Sequence, residues 1–508
     1  MCVLCSSDGL GGRREAVKQA AGEWFERAAD RGRRIAAAQG SLGRGERPIV
    51  FEPSWVLACD EHDGLHLLRD HSVVVEGDRI AAILPGRRQG RERRIQAKGA
   101  LLLPGLISGH THVAAGTSTR GIIEGGRSYG RPLQIADELD SEDLDALTAQ
   151  NLAELLRGGC TTQVEMSLSL RQAQAYVAVA RRWGVRGYPS AMVPGIARLF
   201  EVWTRTDDQV LFDSVPASLD EIAAALRFGH RCNGAENGRI LAQMGVHATD
   251  TQTPDTMRAL AAAADELGNG LHMHLSQGLA ETQTVQRLWG KRPVEWIDEF
   301  GFYDGPLLAA HLSGADLDAD PRILAAKNAT YVHNPSAGGA GGATQPWPEF
   351  LAAGVRTNIG IDTHSNDHLE NVKLAVLYGQ ARHSLLADTS TVPLVRPTIW
   401  DAVRAATLDA ANGLGRDDLG RIRVGAKADL ITVDVSAMLT GSGAPPPEPL
   451  NNLLYSNGQH VRHVMTDGRL QIHNGHLVID DEHQVIKRGA QAVSKIWDQL
   501  DAEQWFQT

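Results

Sequence analysis

Apolar and polar positions follow two rhythms along this chain, and the rhythm changes twice. From about residue 48 to 103 the apolar residues come in short alternating runs, at 49–51, 55–58, 72–75 and 79–84, with turns such as Glu76-Gly77-Asp78 between them. Period-two alternation predicts half-buried strands of a small antiparallel β domain. From Leu101 to about Ala411 the pattern becomes strand, loop, helix. Eight apolar strand candidates stand at 103–110, 161–166, 185–193, 240–248, 270–276, 306–313, 329–335 and 355–362. Amphipathic runs such as Ser141–Arg157 and Pro254–Leu267 lie between them and read as helices. Eight such units predict a (β/α)8 barrel over 104–411. A doubly wound open sheet is less suited, because no Gly-rich phosphate loop joins a strand to a helix.

Strand patterns return at 428–433, 461–465 and 475–479. The segments 48–103 and 412–483 therefore flank the barrel and are expected to pair into one β-sandwich domain. Residues 1–47 read as a helical extension, with Ala16, Ala20, Trp24, Phe25 and Ala28 at helical spacing over about 13–40. A C-terminal helix at about 491–505 is expected within 484–508, and the Gly/Pro-rich stretch 441–449 as a surface loop.

Composition narrows the partners. The net charge of −11 argues against a nucleic-acid partner, which needs a basic face. No run approaches the roughly 18–20 apolar residues of a membrane span. The first residues lack the basic and apolar segments of a signal peptide, so a cytoplasmic location is expected. Five scattered cysteines form no disulfide framework, and Cys2 and Cys5 are a lone pair at Cys-x-x-Cys spacing, read as a packed or disordered end rather than a zinc site. Trp24 and Phe25 could pack on a neighbouring copy, making a homo-oligomer the expected state.

The chemistry lies in the histidines. Active groups of a barrel enzyme sit at the carboxyl ends of its strands. His110 and His112 end strand 1, His247 ends strand 4, His272 and His274 lie in strand 5, His311 ends strand 6 and Asp362 ends strand 8. In an extended strand, residues i and i+2 share a face, so His110 and His112 project together, as do His272 and His274. Three histidines and an aspartate suit a borderline divalent cation such as zinc or iron(II). Such an ion makes hydroxide available near neutral pH. A carboxylate at Asp362 can take and pass on the proton, and a neutral His311 can hydrogen-bond the water or the polarised substrate atom.

At these residues the chain resembles the amidohydrolase superfamily, and within it the cytosine-deaminase-like, triazine-hydrolase branch. The resemblance rests on Pro104-Gly105-Leu106-Ile107-Ser108-Gly109-His110-Thr111-His112, His274-Leu275-Ser276-Gln277, His333-Asn334-Pro335-Ser336, the run from Gly360 to Asn366, and Val424-Gly425-Ala426-Lys427-Ala428-Asp429-Leu430. It covers about residues 50–480. It implies His110, His112, His274 and Asp362 as metal ligands, Asp362 also as proton shuttle, His311 as assistant to the water and His247 as a substrate contact. Two-metal members carry a carboxylated lysine at the end of strand 4. His247 stands there in this chain, so one divalent ion is expected, zinc first, with iron or manganese as alternatives. His272 shares its face with His274, but the string His-Leu-Ser-Gln favours His274 as the ligand.

One position departs from the branch. Its deaminases place Glu three residues after the strand-5 histidine, to protonate a ring nitrogen, and this chain has Gln277. An amide has no such proton to give. Gln277 is thus expected to orient substrate, and the reaction to be metal-dependent hydrolysis of a non-peptide C–N bond in a small cyclic or aromatic amide, urea or carbamate. The alternative is a deaminase or chlorohydrolase-like enzyme acting on a nucleobase, nucleoside or s-triazine, and a remote one is a non-catalytic binding protein. Glu281 is more readily the opening of the next helix than a replacement acid. Arg120, Glu124 and Arg127, in the loop after strand 1, are candidates for substrate contact, as loops there often cover the site. His364, Asn366 and Asp367 are candidates for hydrogen bonds behind Asp362. The glycine-rich 338–342 reads as a flexible loop near the pocket.

Overall fold

The computed structural model describes residues 48–507, apart from 88, 89, 91, 123 and 437–446. The expected N-terminal helix, the Cys2/Cys5 pair, Trp24 and Phe25 lie outside the described residues, as does most of the loop at 441–449.

Two sheets organise the rest. Strands β1 (Ile49–Cys59), β2 (Leu65–Arg69), β3 (His71–Glu76), β4 (Arg79–Pro85) and β5 (Arg93–Pro104) precede the barrel. Its staves are β6 (Leu106–Thr111), β7 (Cys160–Ser167), β8 (Arg186–Val193), β9 (Met244–Val246), β10 (Leu271–Leu275), β11 (Leu307–His311), β12 (Thr330–His333) and β13 (Arg356–Ile359). Strands β14 (Leu430–Asp434), β15 (Val461–Thr466), β16 (Arg469–His473) and β17 (His476–Leu477) follow it.

The barrel strands are parallel neighbours in chain order from β6 to β13. The ring closes where Thr111 bridges Asp362 and the Ile361 N–H donates to the His110 carbonyl at 2.9 Å. Gly360 permits that close approach, since an added Cβ would lie 2.0 Å from Asn334 Oδ1 and 3.0 Å from His110 Cβ. A buried floor of Ile107, Val164, Tyr188, Leu308, Ala310 and Val332 joins five of the staves, so the barrel is packed rather than open below its mouth.

The flanking segments do pair with each other. Strand β14 runs antiparallel to β5 with Leu430 opposite Pro104, giving one nine-stranded sheet in the order β17-β16-β15-β14-β5-β1-β3-β4, with β2 on β1. Phe51, Val56, Ile80 and Leu102 from the first segment share a buried core with Ile422, Leu430 and Met465 from the second. The apolar run that begins at Leu101 is divided between the two sheets. Residues up to Pro104 complete β5, and the barrel begins at Leu106. Pro104 and Gly105 mark the break; the Gly105 N–H leaves both ladders and donates to the Asp429 carbonyl at 2.8 Å.

Six helices matter below: α1 (Gly130–Glu138), α2 (Ser141–Arg157), α3 (Ile196–Trp203), α4 (Pro254–Leu267), α5 (Leu279–Trp289) and α6 (Glu482–Ala502). Asp140 caps α2 by accepting from the Glu142 and Asp143 N–H groups, and a Thr253/Thr256 capping box opens α4. Helix α6 begins earlier than the apolar pattern suggests, because Asp481 caps it by accepting from the Gln484 N–H.

Candidate active site

The barrel mouth gathers the histidines of four strands, β6, β9, β10 and β11, and Asp362 from the end of a fifth, β13. A β-bulge between Ser108 and Thr111 in the β6–β7 pairing breaks the regular register just where His110 and His112 stand. His110 Nε2 lies 3.2 Å from His274 Nε2. Asp362 Oδ1 lies 3.5 Å from His112 Nε2 and 3.9 Å from His110 Nε2. Four donors around one zinc-sized ion, with bonds of about 2.0–2.1 Å in a tetrahedron, would stand about 3.3 Å apart. The observed separations fit, so His110, His112, His274 and Asp362 could hold one ion. His110, His311 and Asp362 form a second, overlapping group of potential ligands.

Burial keeps the imidazoles in the ligating form. His110 and His274 are driven well below the usual histidine range, first by burial and then by neighbouring imidazoles. His112 is lowered by burial, against the opposing pull of Asp362. The far nitrogens fix the tautomers. His112 Nδ1 donates to the Met166 carbonyl at 2.5 Å, leaving Nε2 with its lone pair. His110 Nδ1 lies 2.7 Å from His272 Nε2, so His272 orients His110 and stands outside the ligand group. His274 Nδ1 has no hydrogen-bond partner among the described residues.

His311 is held differently. The Gln345 side-chain oxygen accepts from the Asn334 backbone N–H at 2.7 Å. This turns the Gln345 amide nitrogen toward His311 Nδ1 at 3.5 Å, where the Asn334 amide nitrogen also approaches at 3.4 Å. Nδ1 is therefore the acceptor and Nε2 carries the proton. That Nε2 is buried, has no hydrogen-bond partner among the described residues and lies 3.8 Å from Asp362 Oδ2. Burial lowers the ring to about 4, so it stays neutral and presents an N–H to the mouth. His311 and Asp362 both take left-handed backbone conformations, at φ 80° and 62°, as does Ser276 at 45°. Each such non-glycine residue costs on the order of 1–3 kcal/mol, a cost that clusters at functional sites.

A cavity opens above these groups. His112, His247, His274, Gln277, Asp362, Thr363 and His364 supply its polar lining. Leu133 of α1, Leu168, Met192 and Ile196, Leu199, Phe200 and Trp203 of α3 supply an apolar side. The Trp203 ring meets His247 at 5.3 Å, edge to face. Burial lowers His247 to about 3, and its Nδ1 lies 3.2 Å from Thr251 Oγ1. Tyr129 also lines the cavity, and its phenol is raised to about 12 by burial and by the Asp362 charge.

Other sequence candidates are placed elsewhere. Arg120 turns away from the cavity into an ion pair with Glu154 of α2. Glu124 accepts from the Gly121 N–H at 3.0 Å and meets His364 at 3.4 Å without lining the cavity. Arg127 donates to the carbonyls of Trp505 and Phe506. Glu281 sits behind Gln277, accepting from its backbone N–H at 2.6 Å and from the Thr249 N–H at 3.1 Å. Burial, with Asp250 beside it, raises Glu281 to about 7. It opens α5 and fastens the Gln277 turn. Asn366 binds Asn151 and Glu154, and Asp367 caps the helix His368–Leu386. Residues 335–340 form a helical turn instead of a flexible loop. Tyr129, Phe200 and Trp203 carried no sequence signal beyond an apolar pattern.

Known proteins share this frame. The chain is 28% identical to a 5'-deoxyadenosine deaminase of Methanosarcina mazei over 88% of its length and 98% of that protein. It is 32% identical to a 5-methylthioadenosine/S-adenosylhomocysteine deaminase of Symbiobacterium thermophilum over 71% of its own length and 80% of that relative. An atrazine chlorohydrolase from Arthrobacter aurescens, solved with zinc, superposes with a TM-score of 0.73 at 20% identity, over 88% of this chain and all of that one. An adenosine deaminase from Xanthomonas campestris with bound zinc gives 0.70 at 23% identity, over 89% of this chain and 98% of that one. With the amidohydrolase family profile matching residues 101–470, the chain belongs to the amidohydrolase family, hydrolases acting on carbon–nitrogen bonds other than peptide bonds.

Proposed function

We propose that this chain hydrolyses the C–N bond of a small amide, urea or carbamate, with His110, His112, His274 and Asp362 holding one divalent metal ion. When bound, the ion supplies Lewis acidity that activates water and polarises a carbonyl. Zinc is the first choice for three imidazoles and a carboxylate, with iron(II) and manganese(II) as alternatives, and two solved proteins of this fold carry zinc. His247 at the end of β9 leaves no lysine there for a second ion.

Asp362 takes the proton of the attacking water and delivers it to the leaving nitrogen. His311, neutral and with its N–H toward Asp362, hydrogen-bonds the oxygen on which charge develops. Gln277 orients the substrate edge through its amide, its turn fastened by Glu281. His247 holds the substrate from the β9 side.

The observation that carries this reading is Gln277 itself. It lines the cavity at the position where a deaminase of this branch needs a proton donor, and Asp362 is the one carboxylate among the described lining residues. The zinc-loaded protein is expected to release amine from N-substituted amides, ureas or carbamates, and little ammonia from adenine nucleosides or s-triazines. Efficient deamination by the wild-type chain would overturn the choice of bond. Gln277→Glu is expected to raise deaminase activity. The full-length similarity to 5'-deoxyadenosine deaminase favours deamination as the second reading. In that case Asp362 alone would move every proton.

A further inference from the structure

One wall of the cavity is a contiguous apolar cluster, and it states something about the substrate. We infer that the substrate carries an uncharged, hydroxyl-free apolar group, an aryl ring or a branched alkyl chain, on one side of its scissile bond. The inference rests on the placement of the reaction centre at the histidine cluster and Asp362, and it deepens that reading for whichever C–N bond is cut.

Leu133, Met192, Ile196 and Leu199 are 1–5% exposed and face the cavity with Phe200 and Trp203. They come from α1, the end of β8 and one face of α3, all regular elements, so the wall is fixed before substrate arrives. Two polar groups border this wall, His247 against the Trp203 ring and Tyr129 against the apolar cluster of Leu133, Met192, Ile196 and Leu199. Thr363 and His364 follow Asp362 in sequence. No lysine, arginine or glutamate is among the described residues that line the cavity.

A sugar hydroxyl pressed against Leu133, Met192, Ile196, Leu199, Phe200 or Trp203 would lose water and find no partner on these side chains, at a cost of about tenfold in binding or turnover per hydroxyl. A buried methylene would instead gain about fourfold. Trp203 is 36% exposed at the cavity edge, which suits it to cover a flat ring as it enters.

The test uses matched pairs on the zinc-loaded full chain. One panel pairs an N-phenylurea with the corresponding N-ribosylurea, and the other pairs 9-benzyladenine with 5'-deoxyadenosine. The apolar member is expected to win by at least tenfold in kcat/KM in whichever panel turns over. An equal or better sugar-bearing member would overturn the inference. If neither panel turns over, the proposed reaction fails, and calorimetric Kd values for the same pairs decide the inference by the same ratio. Leu199→Asn should shrink the preference about tenfold. Should that variant misfold, Trp203→Ala at the cavity edge should weaken aryl ligands more than sugar-bearing ones, and an unchanged ratio in it would count against the wall.

Discussion

The barrel buries polar side chains at both ends, and the two ends treat them in opposite ways. At the amino end, Arg186 donates to Asp429 at 2.8 and 3.1 Å and to Asp467 at 3.1 Å. Arg239 and Lys427 each reach Asp467 at 3.0 Å, and the Asp467 N–H donates to Asp429 at 2.7 Å. Charge meets opposite charge, and these bonds tie the barrel to the nine-stranded sheet. At the carboxyl end, neutral imidazoles stand beside one another, with no partner for His274 Nδ1 or His311 Nε2 among the described residues, on a backbone strained at three residues. A buried polar cluster matched charge for charge holds a fold together. An incomplete one, kept at a cost, is arranged for something that arrives from outside.

The contrast can be broken most sharply at Asp362. Asp362→Asn is expected to lower kcat by roughly 10²–10⁴-fold while thermal unfolding shows a folded protein. A collapse of the fold would make the carboxyl end structural after all. Arg186→Met should do the reverse, costing about 3–5 kcal/mol of stability by leaving Asp429 buried without its partner. Urea unfolding reads that loss, and kcat/KM of the folded fraction should stay near wild type.

His272→Leu sharpens the comparison from within the site. It removes the acceptor that orients His110 without touching a proposed ligand. Zinc affinity, measured by competition with a chelator, should fall about 10–100-fold, with little change in melting temperature once zinc is saturating. An unchanged affinity would leave His272 as packing.

The smallest expected effect is on pH. Burial lowers His333 and His368 to about 3, below the unfolded value near 6.5. The unfolded chain therefore binds more protons between those values. Their contribution is complete above about pH 6.5 and is lost as pH falls toward 3. His368→Leu should flatten the acid limb of the stability curve, by about 2 kcal/mol at pH 5. A limb as steep as wild type would place the acid sensitivity in other groups.

Much of this was legible in the chain. The eight staves, the flanking strands and the histidine positions follow from period-two runs that end on imidazoles. Burial on both faces blurred the edges. The run from Leu101 to Ile107 is apolar throughout although it serves two sheets, and only Pro104-Gly105 marks the change. Strands β2, β5 and β16 escaped notice because polar residues interrupt their apolar runs. The cavity wall was hidden for a different reason. Leu133 and Leu199 sit at helical spacing in α1 and α3, and periodicity cannot distinguish a face that packs on the core from one that faces a ligand. Arg120 and Glu124 show the converse, since proximity in sequence to strand 1 does not decide which partner a charge finds first.

The closure of the ring at Thr111 and Asp362 bears on how the protein is made. The proposed ligands lie on the first, fifth and last staves, so the last of them leaves the ribosome long after the first. A nascent chain could show His110 and His112 to the cell's metals well before Asp362 exists to complete the set. Synthesis proceeds from the amino end, which makes loading the ion and joining the two edges of the barrel one late event, and any product cut short before the eighth stave a chain with histidines and no centre.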